Sequence, residues 1–300
     1  MIPYRLWTLL AFSRIPGNAF SFWIRQTLRW SRGRPKLSDE GKEGLFDYLA
    51  QADGSENGPP PPLSMMEAGA KERALRERYH LDDLYRASTR ALYRKNLYLI
   101  DILEKAAEGL PIPDRERREA SALDIGSQDW HYVFALERWL RHGGGAEARR
   151  VSLKGVEVDG YGIYPDFRSR KDYALAYAAQ TGNPEVTYEV RDFLRTEGGG
   201  RDIVTLFYPF VTRHHLLLWG LPLRYFQPAR MMTKVASILK PGGWLLVFTH
   251  TLKEHRLYLE LGRASGAFTL AKEGRALSAL VDFHEDVEDR RFSVWRRKDD

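Results

Sequence analysis

Ala122-Leu123-Asp124-Ile125-Gly126-Ser127 runs from a short apolar stretch into a carboxylate and then a glycine. It predicts a buried strand over residues 122–125 that leaves through a tight turn. Four further runs have the same character. They are 151–158, containing Gly155-Val156-Glu157-Val158; 186–190, leading into Arg191-Asp192; 203–207; and 244–248, entered through Leu239-Lys240-Pro241-Gly242-Gly243. Residues 130–141, 173–180 and 229–239 have helical spacing and lie between them. Strand alternating with helix predicts an α/β fold, a mostly parallel sheet with helices on both faces. Ligands of such sheets gather outside the carboxyl ends of the strands, where the strand order reverses. The acidic turn residues all fall at those ends.

The chemistry of each position follows from its place. Asp124 puts a carboxylate at the end of a strand, and Gly126 lets backbone approach a ligand because it has no side chain. The helix that follows aims its free N–H groups and positive dipole end at the same place. Glu157 ends the second strand, where a carboxylate accepts from two ribose hydroxyls; Asp159 is its near competitor. Asp192 ends the third strand, placed to accept from an adenine amino group, and Phe193 is placed to cover a ring face. A helix cap or turn former is the structural alternative for each acid. Their register on successive strands favours a nucleoside site.

In this order the segments resemble the class I S-adenosylmethionine-dependent methyltransferases, over roughly residues 119–250. Ala122-Leu123-Asp124-Ile125-Gly126 matches the first family motif, Glu157 its ribose-binding acid, Asp192 its adenine-side acid, and Leu239-Lys240-Pro241-Gly242-Gly243-Trp244 the loop into the fifth strand. The resemblance implies a Rossmann-like methyltransferase fold with S-adenosylmethionine as cofactor. It implies cofactor contacts from Asp124, Gly126, Ser127, Gln128, Glu157, Asp159, Asp192, Phe193 and Phe207. The turn departs from the family in having Gln128 where a second glycine is usual, so this side chain either turns away from the cofactor or hydrogen-bonds to it. Phe207-Tyr208-Pro209-Phe210 partly resembles the Asn-Pro-Pro-aromatic motif of amino-group methyltransferases, with Phe207 in the Asn position. Tyr208 and His214 are the candidate catalytic residues, with His215 beside the latter; ordinary packing and a solvated histidine pair are the alternatives. Two functional readings stay open: an active methyltransferase whose methyl acceptor is unknown from the sequence, or a methyltransferase-like protein without turnover that binds a membrane surface or nucleic acid through its basic N-terminal arm.

The 300 residues carry a net charge of +6, unevenly spread. Residues 1–38 hold Arg5, Arg14, Arg25, Arg29, Arg32, Arg34 and Lys36 among Trp7, Phe12, Phe20, Phe22, Trp23 and Trp30, and the first acid is Asp39. Such a mixture suits an anionic membrane surface, single-stranded nucleic acid, or packing onto the rest of the chain with the arginines in water. The expected organisation is a basic aromatic arm over 1–50, a Pro/Gly-rich linker over 51–64, a helical region over 65–114 broken near His80, and the Rossmann-like domain over 115–300. A weaker pattern past Phe248 predicts a helix over 254–261 and strands over 267–270 and 291–295.

Several classes are excluded. The absence of cysteine removes disulfides, thiolate metal sites and a cysteine nucleophile, and is compatible with the cytoplasm. No apolar run reaches the ~18 to 20 residues of a spanning helix, so a simple integral membrane protein is not expected; the expectation is a cytoplasmic location, with peripheral membrane association as an open alternative. Gly143-Gly144-Gly145 and Gly198-Gly199-Gly200 lack the Gly-Lys-Ser/Thr ending of a phosphate loop. Neither a metal-ligand cluster nor a serine-hydrolase elbow is present in the sequence, and no metal is expected. Nicotinamide chemistry is disfavoured because Gly-x-Gly-x-x-Gly does not follow the first strand.

Overall fold

The computed structural model describes residues 14–37, 65–112, 117–143, 148–278, 280 and 289–299. The expected linker over 51–64 lies outside them, as do residues 1–13 and 38–50 of the arm.

Seven strands, β1 (Glu119–Ile125), β2 (Arg150–Glu157), β3 (Val186–Val190), β4 (Arg201–Phe207), β5 (Leu239–Thr249), β6 (Phe268–Arg275) and β7 (Arg291–Arg297), form one sheet in the order β3-β2-β1-β4-β5-β7-β6. The first five are parallel, while β7 runs antiparallel to both β5 and β6. The chain starts in the middle, winds outward through β2 and β3, and returns to β4 on the other side of β1. The order therefore reverses between β1 and β4, and a crevice opens at their carboxyl ends.

Register decides what stands beside the first acid. Asp124 lies opposite Gly155 on β2 and Thr205 on β4, so one neighbour supplies a hydroxyl and the other supplies space. The motif Leu239–Trp244, expected as a loop entering the fifth strand, is instead the bulged first part of β5: Arg201 pairs with Leu239 and Ile203 with Trp244. Gly243 sits at that irregularity, where a Cβ would stand 2.8 Å from the Lys240 carbonyl oxygen.

Helices cover both faces; α6 (Arg170–Gln180) follows β2. The helical region, expected as two helices broken near His80, contains three, α2 (Met65–Arg78), α3 (Asp82–Arg86) and α4 (Arg90–Ala107); the first break falls near His80, whose φ is 49°, and a second precedes the Thr89 cap. Thr89 caps α4 by accepting from Leu92 N–H. Its buried Tyr93, Leu97, Ile100 and Leu103 share one apolar core with Leu136 and Trp139 of α5 (Val133–His142). The helical region is thus packed into the core of the sheet domain. On the other face α8 (Pro228–Ile238) and α9 (Leu252–Ala264) enclose Met232, Val235, Tyr258 and Leu259 with Trp295 of β7. The helix expected over 254–261 starts at Leu252 because Thr251 and Glu254 form a reciprocal capping box.

The N-terminal arm contributes α1 (Ile15–Leu28), which begins with proline in its first turn and ends at Arg29 in the left-handed region. One face docks on the body. Phe22 is buried among Leu216, Leu217 and Leu221, and Asn18 Nδ2 donates to the Leu217 carbonyl at 2.8 Å. Arg25 Nε reaches Asp159 at 2.9 Å and Gln26 Nε2 reaches the Val158 carbonyl at 2.9 Å.

Candidate functional site

Gly126, Gln128 and Trp130, alternate residues of the turn after β1, all have positive φ, at 77°, 52° and 57°. The left-handed region favours glycine, and a bulky side chain there is held only by its surroundings. For Trp130 those surroundings are plain: the indole is fully buried and its Nε1–H donates to Asp124 Oδ2 at 2.9 Å. Tyr188 of β3 donates its hydroxyl to the Gln128 carbonyl, fixing the turn from the other side. The backbone thus takes a glycine-like path with only one glycine in it. A Cβ at Gly126 would meet no atom within 4 Å, so open space lies above that residue.

Asp124 is the anchor beneath the turn. Its carboxylate is fully buried and accepts from Trp130, from Tyr132 Oη at 2.8 Å and from Thr205 Oγ1 at 2.6 Å. Burial raises its pKa to about 6, against the pull of these donors. Ser127 is likewise buried and donates to the Asp124 carbonyl at 3.0 Å. Asp124 and Ser127 therefore organise the turn from behind it.

Glu157 closes the turn from the neighbouring strand. Oε2 accepts from Gln128 N–H at 2.9 Å and Oε1 from Asp159 N–H at 2.8 Å. Each oxygen retains a second lone pair. Burial raises the pKa of this carboxyl, opposed by the two amides and by the Arg170 guanidinium. Asp159 points elsewhere: Arg25 and Arg170 hold its two oxygens at 2.9 and 3.1 Å. Of the two competing acids, only Glu157 borders open space.

That space is a cleft over the carboxyl ends of β1, β2 and β4. Its wall brings together seven of the residues singled out in the sequence: Gly126, Gln128, Glu157, Asp192, Phe193, Phe207 and Tyr208. Asp192 accepts from Leu194 N–H at 3.0 Å and so caps a short 3₁₀ turn, the structural alternative for this acid, while still facing the cleft. Tyr208 has φ 57° and lies flat on the His250 ring, 3.9 Å between centroids. His214 is not on the wall. It belongs to α7 (Arg213–Leu218), beside His215, whose Nδ1 lies 2.9 Å from Glu254 Oε1.

Asp124, Ser127 and Asp159, expected at the cofactor, are not on this wall, and a further expectation is corrected. The helix after the turn does not offer its N-terminus to the cleft, because Asn96 of α4 caps it: Asn96 Oδ1 accepts from Ala135 N–H at 3.1 Å, and its Nδ2 donates to the His131 carbonyl at 3.0 Å. The helix itself starts at Val133, later than 130. The sequence reading also missed Leu216, Trp219, Leu221, Tyr225 and Met231, which form the far wall. Their signal was a cluster of large apolar residues interrupted by Gly220 and Pro222, too irregular for either period.

No family model matches the chain, and no curated protein matches it. Solved structures resemble it in fold. They include a Listeria monocytogenes protein provisionally assigned as a class I S-adenosylmethionine-dependent methyltransferase, with TM-score 0.45 and 14% identity over 69% of this chain; the chain spans 60% of that protein. The N-methyltransferase NodS of Bradyrhizobium japonicum WM9 resembles it with TM-score 0.43 and 12% identity, covering 70% of this chain and 98% of that one. A SAM-dependent methyltransferase of Aquifex aeolicus gives TM-score 0.41 and 11% identity, covering 68% and 97%. The sheet itself is Rossmann-like: five parallel strands wound from the middle and an antiparallel strand inserted beside the fifth.

Proposed function

We propose that the chain is an S-adenosylmethionine-dependent methyltransferase whose cofactor lies in the cleft over β1, β2 and β4. The observation that carries this reading is the alignment, on one wall, of a glycine-like turn, a carboxylate at the end of β2 and a second carboxylate at the end of β3. The donor set fits the molecule. Glu157 has lone pairs for ribose hydroxyls, Asp192 for an adenine amino group, and Phe193 an apolar face for the base. The room above Gly126 lets the ligand approach the backbone.

Held by Glu157, Asp192 and Phe193, S-adenosylmethionine would supply an electrophilic methyl carried on a sulfonium. The residues of this chain bind, orient and exclude water. Phe207, Tyr208 and Phe210 contribute aromatic side chains to the wall. Bringing the acceptor in line is then the main contribution to rate. Tyr208 is the residue nearest to a catalytic role, since it lies on the wall; His214 does not.

Calorimetric titration with S-adenosylmethionine and S-adenosylhomocysteine, with NADH as control, tests the reading. Micromolar binding of the first two, lost in a folded Glu157→Gln variant, is the expected result. No binding of either at millimolar concentration sinks it.

A further inference from the structure

Large apolar side chains are exposed together on the outward side of α1 and on the segment directly after it. Phe20 and Trp23 are 63% and 59% exposed, Leu28 69%, Trp30 48%, and Phe167 66%. Phe20 and Trp23 are ring neighbours, 6.2 Å between centroids. Trp30 Nε1–H donates to the Phe167 carbonyl at 2.8 Å, so the two residues adjoin. Phe167 has φ 62°, a conformation that an aromatic residue seldom takes.

The helix is firmly placed while showing this face. Asn18, Phe22, Arg25 and Gln26 fix it to the body. Arg32 N–H donates to Asp172 at 3.0 Å and anchors the segment beyond it. The outward side is therefore presented by a rigid support, and the ordering cost of presenting it is met by contacts on the opposite side.

Charge says what covers it. Arg14, Arg29, Arg32, Arg34 and Lys36 are exposed, and residues 14–37 contain no acid. The carboxylates nearest the patch are engaged: Asp166 with Arg168 and Tyr173, Asp172 with Ser169 and Ser31. A two-fold contact with a second copy would bring these cations against their own images. A nucleic-acid platform needs ring faces free for bases, whereas one face of Phe20 and one of Trp23 are turned to each other at 23° and Leu28 offers no stacking surface. Aromatics and leucine at the level of arginine and lysine suit the interface of a bilayer.

We propose that the outward face of α1 and residues 28–36, with Phe167, seat on an anionic lipid bilayer. The aromatic rings and Leu28 enter the headgroup boundary and the arginines meet lipid phosphates. This inference does not depend on the cofactor reading. Residues 1–13 of the sequence continue the composition, with Leu6, Trp7, Leu9, Leu10, Phe12 and Arg5 and no acid.

The test is sedimentation of the full chain with vesicles of phosphatidylcholine alone or of equimolar phosphatidylcholine and phosphatidylglycerol, followed also by tryptophan emission. Expected are binding to the second vesicle only, a blue shift, and weakening with salt. Phe20→Ser/Trp23→Ser, at exposed positions, should abolish binding while leaving the circular dichroism spectrum unchanged. Each of Arg29→Gln and Arg34→Gln should weaken it by about fivefold. The proposal is overturned by failure to bind anionic vesicles, by binding that survives the double variant, by a dimer that the double variant splits, or by preferential binding to single-stranded RNA through the same residues.

Discussion

The indole of Trp130 lies against Gly155 across the β1–β2 pair: a Cβ at Gly155 would stand 2.8 Å from Cε2 of the ring. The ring is fully buried and tied to Asp124 by its Nε1–H, so it has no easy way to give. Gly155→Ala is therefore expected to destabilise the protein by about 1–3 kcal/mol through overpacking. Urea denaturation followed by circular dichroism checks this; an unchanged midpoint contradicts it.

Asp124 links the same cluster to pH. Its pKa rises from 3.8 to about 6 on folding because burial disfavours the charge. The folded state then holds the proton more tightly than the unfolded chain, so this group's contribution is fully present below pH ~4 and is lost as pH rises through ~6. The loss is about 3 kcal/mol for a shift of this size. Asp124→Asn should flatten the stability profile between those values. It should also cost about 1–3 kcal/mol below pH 4, because its amide N–H group meets the surrounding donors. Denaturant midpoints across that range separate the two effects.

Asn96 is buried and closes the start of α5 from a different helix, accepting from Ala135 N–H and donating to the His131 carbonyl. Asn96→Leu leaves both groups without this partner in a dry place. A loss of about 2–4 kcal/mol is expected, from two unsatisfied polar groups at ~1–2 kcal/mol each. A loss below half a kilocalorie in chemical denaturation would show that another group takes over.

The strands were legible because each is a compact apolar run with a polar stop, and β3 spans the residues read for it. Glu157, Asp192 and Phe193 were legible as cleft residues because a strand end fixes where its next side chain goes. What escaped depends on distance along the chain. The Asp159 carboxylate meets Arg25, 134 residues away, and Asn96 meets Ala135 through the packing of two helices. Local periodicity holds no record of either. Gln128 was visible as a departure from a glycine-rich turn, but its left-handed backbone was not, since Trp130 and Tyr188 enforce it from the core.

The junction between α1 and the body rests on Asp159. Burial raises the pKa of this acid despite two arginines, so the pair geometry is costly to hold and costly to break. Asp159→Asn is expected to lose about 2–3 kcal/mol by leaving Arg25 and Arg170 without their counter-charge. Amide exchange should rise over residues 15–28 and stay low in β1 and β4. Uniformly faster exchange would mean that α1 is not a separately opening part.

Gln128 offers a direct view of how the turn holds its shape. A side chain at φ 52° is tolerated when unbranched and resisted when branched at Cβ. Gln128→Gly relieves about 1 kcal/mol of backbone strain and loses a comparable amount to the freer unfolded chain, so stability should stay within ~1 kcal/mol. Gln128→Val should fall by about 1–2 kcal/mol, because the branched residue resists that region while Glu157 and Tyr188 still hold the backbone there. If both variants unfold at the wild-type denaturant midpoint, the turn is free to leave the left-handed conformation, and its wall on the cleft is adjustable rather than fixed.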